Sequence, residues 1–133
     1  MIVTSAVASV FGLLYLVLAQ HVISRRRKYK VSVGHGDVEE LHRSIRAHSN
    51  LAEYAPIILI LLAAYEVNDG PLVIAVILGA IAMLGRLLHA RGMTLPADAR
   101  IKLRVPGMAL TLSAIAGLVL SNIFLVAGTL FLS

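Results

Sequence analysis

Cysteine is absent from the 133-residue sequence, and charged residues are scarce. Without cysteine the chain can form no disulfide, and it offers neither a thiolate ligand for a metal nor a cysteine nucleophile. Only 14% of the residues are charged and 59% are hydrophobic, whereas soluble domains average about 25% and about 45–50%. This composition predicts an integral membrane protein with a single domain.

Charge is also missing from particular segments of the chain. The first 24 residues carry none, and all twelve lysines and arginines fall within residues 25–46 or 86–104. Because basic residues collect in cytoplasmic connections, this distribution predicts an inner membrane protein with both termini in the periplasm. The basic run at residues 25–30 follows the first apolar segment, which argues against a cleaved signal peptide. We interpret that run as a topology signal at the lipid headgroups, so the pI near 10.1 does not indicate nucleic-acid binding.

The apolar residues form four segments that predict an all-α, integral membrane four-helix bundle. The predicted helices cover residues 2–24, 38–66, 72–91 and 105–131. Asp37 and Glu40 have the spacing of a capping box, residues 68–71 predict a tight turn, and residues 92–102 predict a polar loop. Small residues that would let helices pack closely occur in the last two helices: Gly79, Ala80, Gly85, Ser113, Gly117, Ser121 and Gly128.

The second predicted helix carries a polar face into the membrane. Arg43, Arg46, Asn50 and Glu53 are separated by 3, 4 and 3 residues. At about 100° per residue they fall within roughly 80° of one helix face. An ionisable group at bilayer depth costs about 2.5–3.5 kcal/mol or more, so such a face indicates a binding site. The alternative is that the arginines reach to the interface and Glu53 only pairs with one of them.

Further polar residues are expected at the same depth as this face. The end of the third helix carries Arg86 and His89, and the fourth helix is preceded by basic residues at positions 100, 102 and 104. Antiparallel neighbours would bring these groups together into an anion-binding cleft, where guanidinium groups bind carboxylates bidentately. A small zwitterionic peptide with an excess of carboxylates fits this set. A histidine at an interface is more often a packing residue, Tyr54 can be an interfacial aromatic, and no spacing indicates a metal site.

Three motifs resemble a known family. Arg43-x-x-Arg46-x-x-x-Asn50-x-x-Glu53-Tyr54-x-Pro56 resembles the second-helix signature of the MAPEG family, the membrane-associated proteins in eicosanoid and glutathione metabolism. Gly85-Arg86-x-x-His89 resembles the third-helix motif of its prostaglandin E synthase branch. Arg104-Val-Pro-Gly-Met is similar to the start of the fourth helix in small bacterial members. The likeness covers nearly the whole chain.

The resemblance implies a homotrimer that binds glutathione, as co-substrate, between subunits near the cytoplasmic leaflet. It implies that Arg46, Asn50, Glu53 and Tyr54 contact glutathione and that Arg86 lies nearby; Arg43 and His89 complete the expected binding set. It also implies an arginine that stabilises the thiolate, for which Arg104 is the first candidate and Arg100 the second. Met93 departs from the family, because several eicosanoid-type members have a tyrosine there.

The expected function is therefore that of a glutathione-dependent membrane transferase or peroxidase acting on small hydrophobic electrophiles from the bilayer. A member that binds lipid without catalysis exists in the family, so a non-catalytic scaffold that binds lipid or glutathione is the alternative. A small multidrug exporter also has four helices and a membrane carboxylate. Two arginines beside Glu53 would hold that carboxylate ionised, which disfavours the exporter.

Overall fold

The computed structural model describes residues 1–95 and 97–132, with the side chains of residues 97–100 and 132 excepted. Four helices follow one another: α1 (Ile2–Tyr29), α2 (Glu39–Val67), α3 (Leu72–Thr94) and α4 (Ala97–Leu132). Each contains a stretch long and apolar enough to cross a membrane, which confirms the all-α fold of an integral membrane protein. Helices α2 and α3 each contact the three others, so these two helices form the centre of the protomer.

Two helices extend further than their apolar residues indicated. α1 continues through the basic residues to Tyr29, and α4 begins at Ala97, eight residues before the predicted start. The polar loop predicted for residues 92–102 is therefore wrong, and Pro106 lies inside α4. The physical reason is that backbone hydrogen bonds continue a helix beyond the hydrocarbon, where polar side chains are solvated. Hydropathy marks the membrane span and not the helix end.

The start of α2 corrects the predicted capping box. Asp37 lies at φ 57° outside the helix, and the residue at the cap position is Val38, whose side chain forms no capping hydrogen bond. Glu40 instead forms ion pairs with Arg25 at 3.1 Å and Lys28 at 3.3 Å. A carboxylate gains more from two cations than from one backbone N–H, and here it joins the end of α1 to the start of α2. The tight turn at residues 68–71 is confirmed between α2 and α3.

A second carboxylate joins the same two helices at their other end. Glu66 has a largely buried side chain and accepts hydrogen bonds from the backbone N–H groups of Val3 at 3.1 Å and Thr4 at 2.7 Å, and from the Thr4 hydroxyl at 2.6 Å. Free N–H groups at a helix start attract a carboxylate. Glu66 therefore caps α1 across the helix pair, a role that the sequence analysis did not predict.

Helix α4 is held to its neighbours by two different kinds of contact. Asn122 donates from Nδ2 to the backbone carbonyl of Leu61 in α2, at 3.0 Å. Against α3, the backbones meet at Gly85 and Gly107: a Cβ added to Gly107 would lie 2.8 Å from the Gly85 carbonyl oxygen and 2.5 Å from the His89 nitrogen. The close approach predicted at Gly85 is confirmed. Ala80, in contrast, is exposed, and Gly128 has open space around it.

Candidate functional site

A groove of about 580 Å³ opens between α2, α3 and α4. Its polar wall contains two arginines, an amide and an imidazole, from Arg46, Asn50, His89 and Arg104. Its apolar wall is formed by Met93, Val105, Met108, Ala109 and Leu112. Both arginines are exposed, whereas Asn50 and His89 are buried. The groove therefore places two accessible guanidinium groups beside a surface that suits an apolar molecule.

Arg86 lies behind the groove and holds one of its lining residues. Its side chain is 2% exposed, and Nη1 donates to the side-chain oxygen of Asn50 at 3.0 Å and to the Asn50 carbonyl at 3.3 Å. The guanidinium also stacks 4.9 Å from the ring centroid of Tyr54, an arrangement that stabilises a cation. Nε and Nη2 form no hydrogen bond with the residues that the structure describes. Arg86 thus fixes Asn50, using the oxygens of that residue and leaving its amide N–H groups for a ligand.

The crossing of α3 and α4 places Arg104 at the groove. Nδ1 of His89 lies 3.2 Å from the backbone oxygen of Arg104, within hydrogen-bond distance. Gly107 permits this approach because any side chain there would clash with the backbone of α3. The backbone at Arg104 is held against α3 while its side chain remains exposed. The geometry thus favours a positioning role for His89.

Of the remaining site candidates, those whose side chains the structure describes do not line the groove. Arg43 pairs with Glu39 at 3.6 Å, one helical turn away. Tyr54 is half-buried beneath Arg86. Glu53 is exposed and forms no ion pair or hydrogen bond with any described residue. The side chain of Arg100 lies outside the described residues. Of the nine candidates, Arg46, Asn50, His89 and Arg104 line the groove together.

Sequence reasoning missed the apolar wall. Val105, Met108, Ala109 and Leu112 stand at positions i, i+3, i+4 and i+7 of α4, which puts them on one helix face. That spacing was visible in the sequence, but a uniformly apolar segment gives no contrast between a face toward lipid and a face toward a groove. Met93, which departs from the family pattern, joins the same wall.

Comparison with known proteins agrees with the three sequence motifs that resemble the MAPEG family. The MAPEG family model matches residues 4–124, which is most of the chain. The chain belongs to the MAPEG family. Two relatives, both called Inner membrane protein YecN, come from Escherichia coli strain K12 and from Escherichia coli O6:H1 strain CFT073. Each is 31% identical over 122 residues, covering 92% of this chain and 91% of the relative.

All four polar residues of the groove lie inside the segment matched to the MAPEG model. The match also includes Arg86, Glu53 and the Gly85–Gly107 crossing. Membership in the MAPEG family gives no support to the multidrug exporter, whose only basis was the number of helices and one membrane carboxylate.

Proposed function

We propose that this MAPEG protein is a glutathione-dependent membrane transferase or peroxidase that acts on hydrophobic electrophiles. The observation that carries the proposal is the groove itself, because it combines two exposed guanidinium groups with an apolar wall in one space. A charged peptide and a lipid-soluble partner need such neighbouring surfaces if they are to react. At about 580 Å³, the groove falls in the range of about 300–1,000 Å³ that is usual for small-molecule sites.

The donors of the groove match the charges of glutathione, which has two carboxylates, one ammonium and a thiol. Arg46 and Arg104 supply planar guanidinium forks, which suit carboxylates and sulfur anions. The Asn50 amide fits the peptide groups of the ligand. The buried charge of Arg86, just behind Asn50, raises the positive potential without contacting the ligand, and it acts strongly because the surroundings are apolar.

The exposed carboxylate of Glu53 supports the proposed homotrimer. Glu53 lies at membrane depth one helical turn before Pro56, yet no described residue pairs with it. A carboxylate facing lipid there would cost several kcal/mol, on the order of the values for other charges in a membrane. A second copy of the chain would cover it and place it between subunits. In that position Glu53 would bind the ammonium group of glutathione.

Glutathione would supply a thiolate sulfur as nucleophile, and Arg104 would stabilise its negative charge. A cation next to a thiol lowers the thiol's pKa, which raises the reactive fraction at neutral pH. In the transferase reaction the sulfur forms a bond to the electrophilic carbon, and the leaving group departs with its bonding electrons. The apolar wall from Val105 to Leu112 would hold the electrophile beside that sulfur and exclude water.

We also propose where the protein is located. The relatives are called inner membrane proteins, and all lysines and arginines fall within residues 25–46 and 86–104, the segments around the two connections on one side of the bundle. These observations support a bacterial inner membrane protein whose termini are periplasmic and whose groove faces the cytoplasmic leaflet.

Isothermal titration of the purified protein with glutathione in detergent tests the proposal. Glu53→Gln should weaken binding by about 2–5 kcal/mol, because a desolvated charge loses its partner. Asp69→Asn is the matched control, since it changes an exposed carboxylate in the turn at the far end of the bundle. Equal losses in both variants, or no binding by the unaltered protein, would contradict the proposal. Binding without turnover of an aromatic halide or a lipid hydroperoxide would favour the scaffold.

A further inference from the structure

The basic end of α1 contains more positive charge than its neighbours neutralise. Glu40 pairs with Arg25 and Lys28. The guanidinium of Arg26 donates to the carbonyl of Ser32 at 2.9 Å. Arg27 and Lys30 are exposed, and their side chains form no ion pair or hydrogen bond with a described residue. Two cations at this end therefore remain available to a partner from outside the chain.

These two cations flank a concave surface. A depression of about 310 Å³ is lined by Arg26, Arg27, Lys30, Val31 and Ser32. It forms because Lys30 adopts a left-handed conformation at φ 54°, and the Val31 N–H then bonds back to the Arg26 carbonyl at 3.1 Å. The chain is thereby folded under the helix end. Arg26 fixes that fold, so the depression is built by the backbone as well as by side chains.

The depression continues a stripe along α1. Leu16, Gln20, Ile23 and Arg27 are separated by 4, 3 and 4 residues, which places them within about 60° of one helix face. Lys30 follows directly after the end of the helix. Leu16 is 62% exposed and Ile23 is 41% exposed. The stripe is thus mainly apolar at membrane depth and cationic at its end. An anionic phospholipid has the complementary arrangement, with acyl chains below a phosphodiester.

We propose that the depression at Arg26, Arg27 and Lys30 binds the phosphodiester of an anionic phospholipid whose acyl chain lies along Leu16 and Ile23. The occupant is a lipid and not a free phosphate, because the cations stand at the end of an apolar helix face. No acidic residue lies between the cations and that face. Val33, which is 85% exposed in the following loop, provides another apolar contact at the interface. None of these residues lines the groove between α2, α3 and α4, so this site is separate from the proposed function.

The test is native mass spectrometry of the purified full chain, released from neutral detergent micelles that contain dioleoyl phosphatidylglycerol or dioleoyl phosphatidylcholine. The unaltered protein should retain phosphatidylglycerol in preference to phosphatidylcholine. The double variant Arg27→Gln, Lys30→Gln should lower the apparent affinity for phosphatidylglycerol about tenfold or more, since each basic residue contributes appreciably near a headgroup. The charge-retaining variant Arg27→Lys, Lys30→Arg should restore most of the binding, which also shows that the fold tolerates changes here.

The matched control removes the same charge from the same side of the bundle. Arg91 and Lys102 are both exposed and line neither the depression nor the groove. Arg91→Gln, Lys102→Gln should change the affinity less than twofold, by about a few tenths of a kcal/mol at most. Equal losses in the two glutamine pairs would mean long-range attraction alone and would overturn the site. Displacement of phosphatidylglycerol by millimolar inorganic phosphate would overturn its assignment to a lipid.

Discussion

Replacing Gly107 with alanine should separate α3 from α4 and disturb the groove. The new Cβ would lie 2.5 Å from the His89 nitrogen, about 0.9 Å short of the 3.4 Å at which ordinary contact begins. The other near atoms, the Gly85 carbonyl oxygen and the His89 Cα, also belong to the backbone, so no side-chain rotation can relieve the clash. Overpacking of this kind costs about 1–3 kcal/mol. The contact between His89 and the Arg104 carbonyl should lengthen with it.

The control is Gly128→Ala in the same helix, where a Cβ would have nothing within 4 Å. Alanine is favoured over glycine in helices by about 0.8–1.0 kcal/mol, so this control should be as stable as the unaltered protein or slightly more stable. The difference between the variants in thermal unfolding, followed by circular dichroism in detergent, isolates the clash. Glutathione titration of Gly107→Ala should also show weaker binding. Equal stability and equal binding in the two variants would refute the role of the crossing.

Three further predictions concern single residues and the orientation. Arg104→Ala should raise the pKa of the bound glutathione thiol and lower turnover at neutral pH about tenfold or more, with partial recovery at higher pH. The thiolate absorbance of the glutathione complex, followed against pH, measures the change in pKa. A larger effect of Arg100→Ala would transfer the role to Arg100. Glu66→Gln should lower the free energy of unfolding by about 1.5–3 kcal/mol, since it removes charged hydrogen bonds that cap α1. The control Asp69→Asn should be nearly neutral. Similar melting temperatures for the two variants would contradict the cap. A reporter enzyme that functions only in the periplasm should be active when it is fused to the C-terminus. Activity of a fused reporter that functions only in the cytoplasm would reverse the predicted orientation.

The sequence was sufficient for the number, order and approximate spans of the helices, because a long apolar segment in a membrane has few alternatives to a helix. It was insufficient for the helix ends. The basic residues after His21 continue α1, and the polar residues from Ala97 onward begin α4, since outside the hydrocarbon either a loop or a helix is solvated. The capping box failed for a similar reason: Glu40 had stronger partners on α1 than the backbone offered.

For the candidate site, spacing predicted which residues share a face but not which neighbours they meet. Asn50 and Glu53 stand on the same face of α2, yet Asn50 is buried against Arg86 while Glu53 is exposed. A helical wheel cannot show where the neighbouring helix ends. The close approach at Gly107 was also missed. Gly85 was expected to meet another helix, but the sequence does not show which residue of which helix it meets.

The hydrogen bond from Asn122 to Leu61 has a consequence for how the pairing of α2 with α4 can be detected. The acceptor is a backbone carbonyl, which every amino acid possesses, so substitutions at position 61 leave the acceptor in place. Only position 122 is restricted, because the donor belongs to the asparagine side chain. Two positions covary when a change at one is compensated at the other, and here no compensation is needed. Covariation among relatives should therefore miss this contact, whereas a cross-link between cysteines introduced at positions 61 and 122 would detect it.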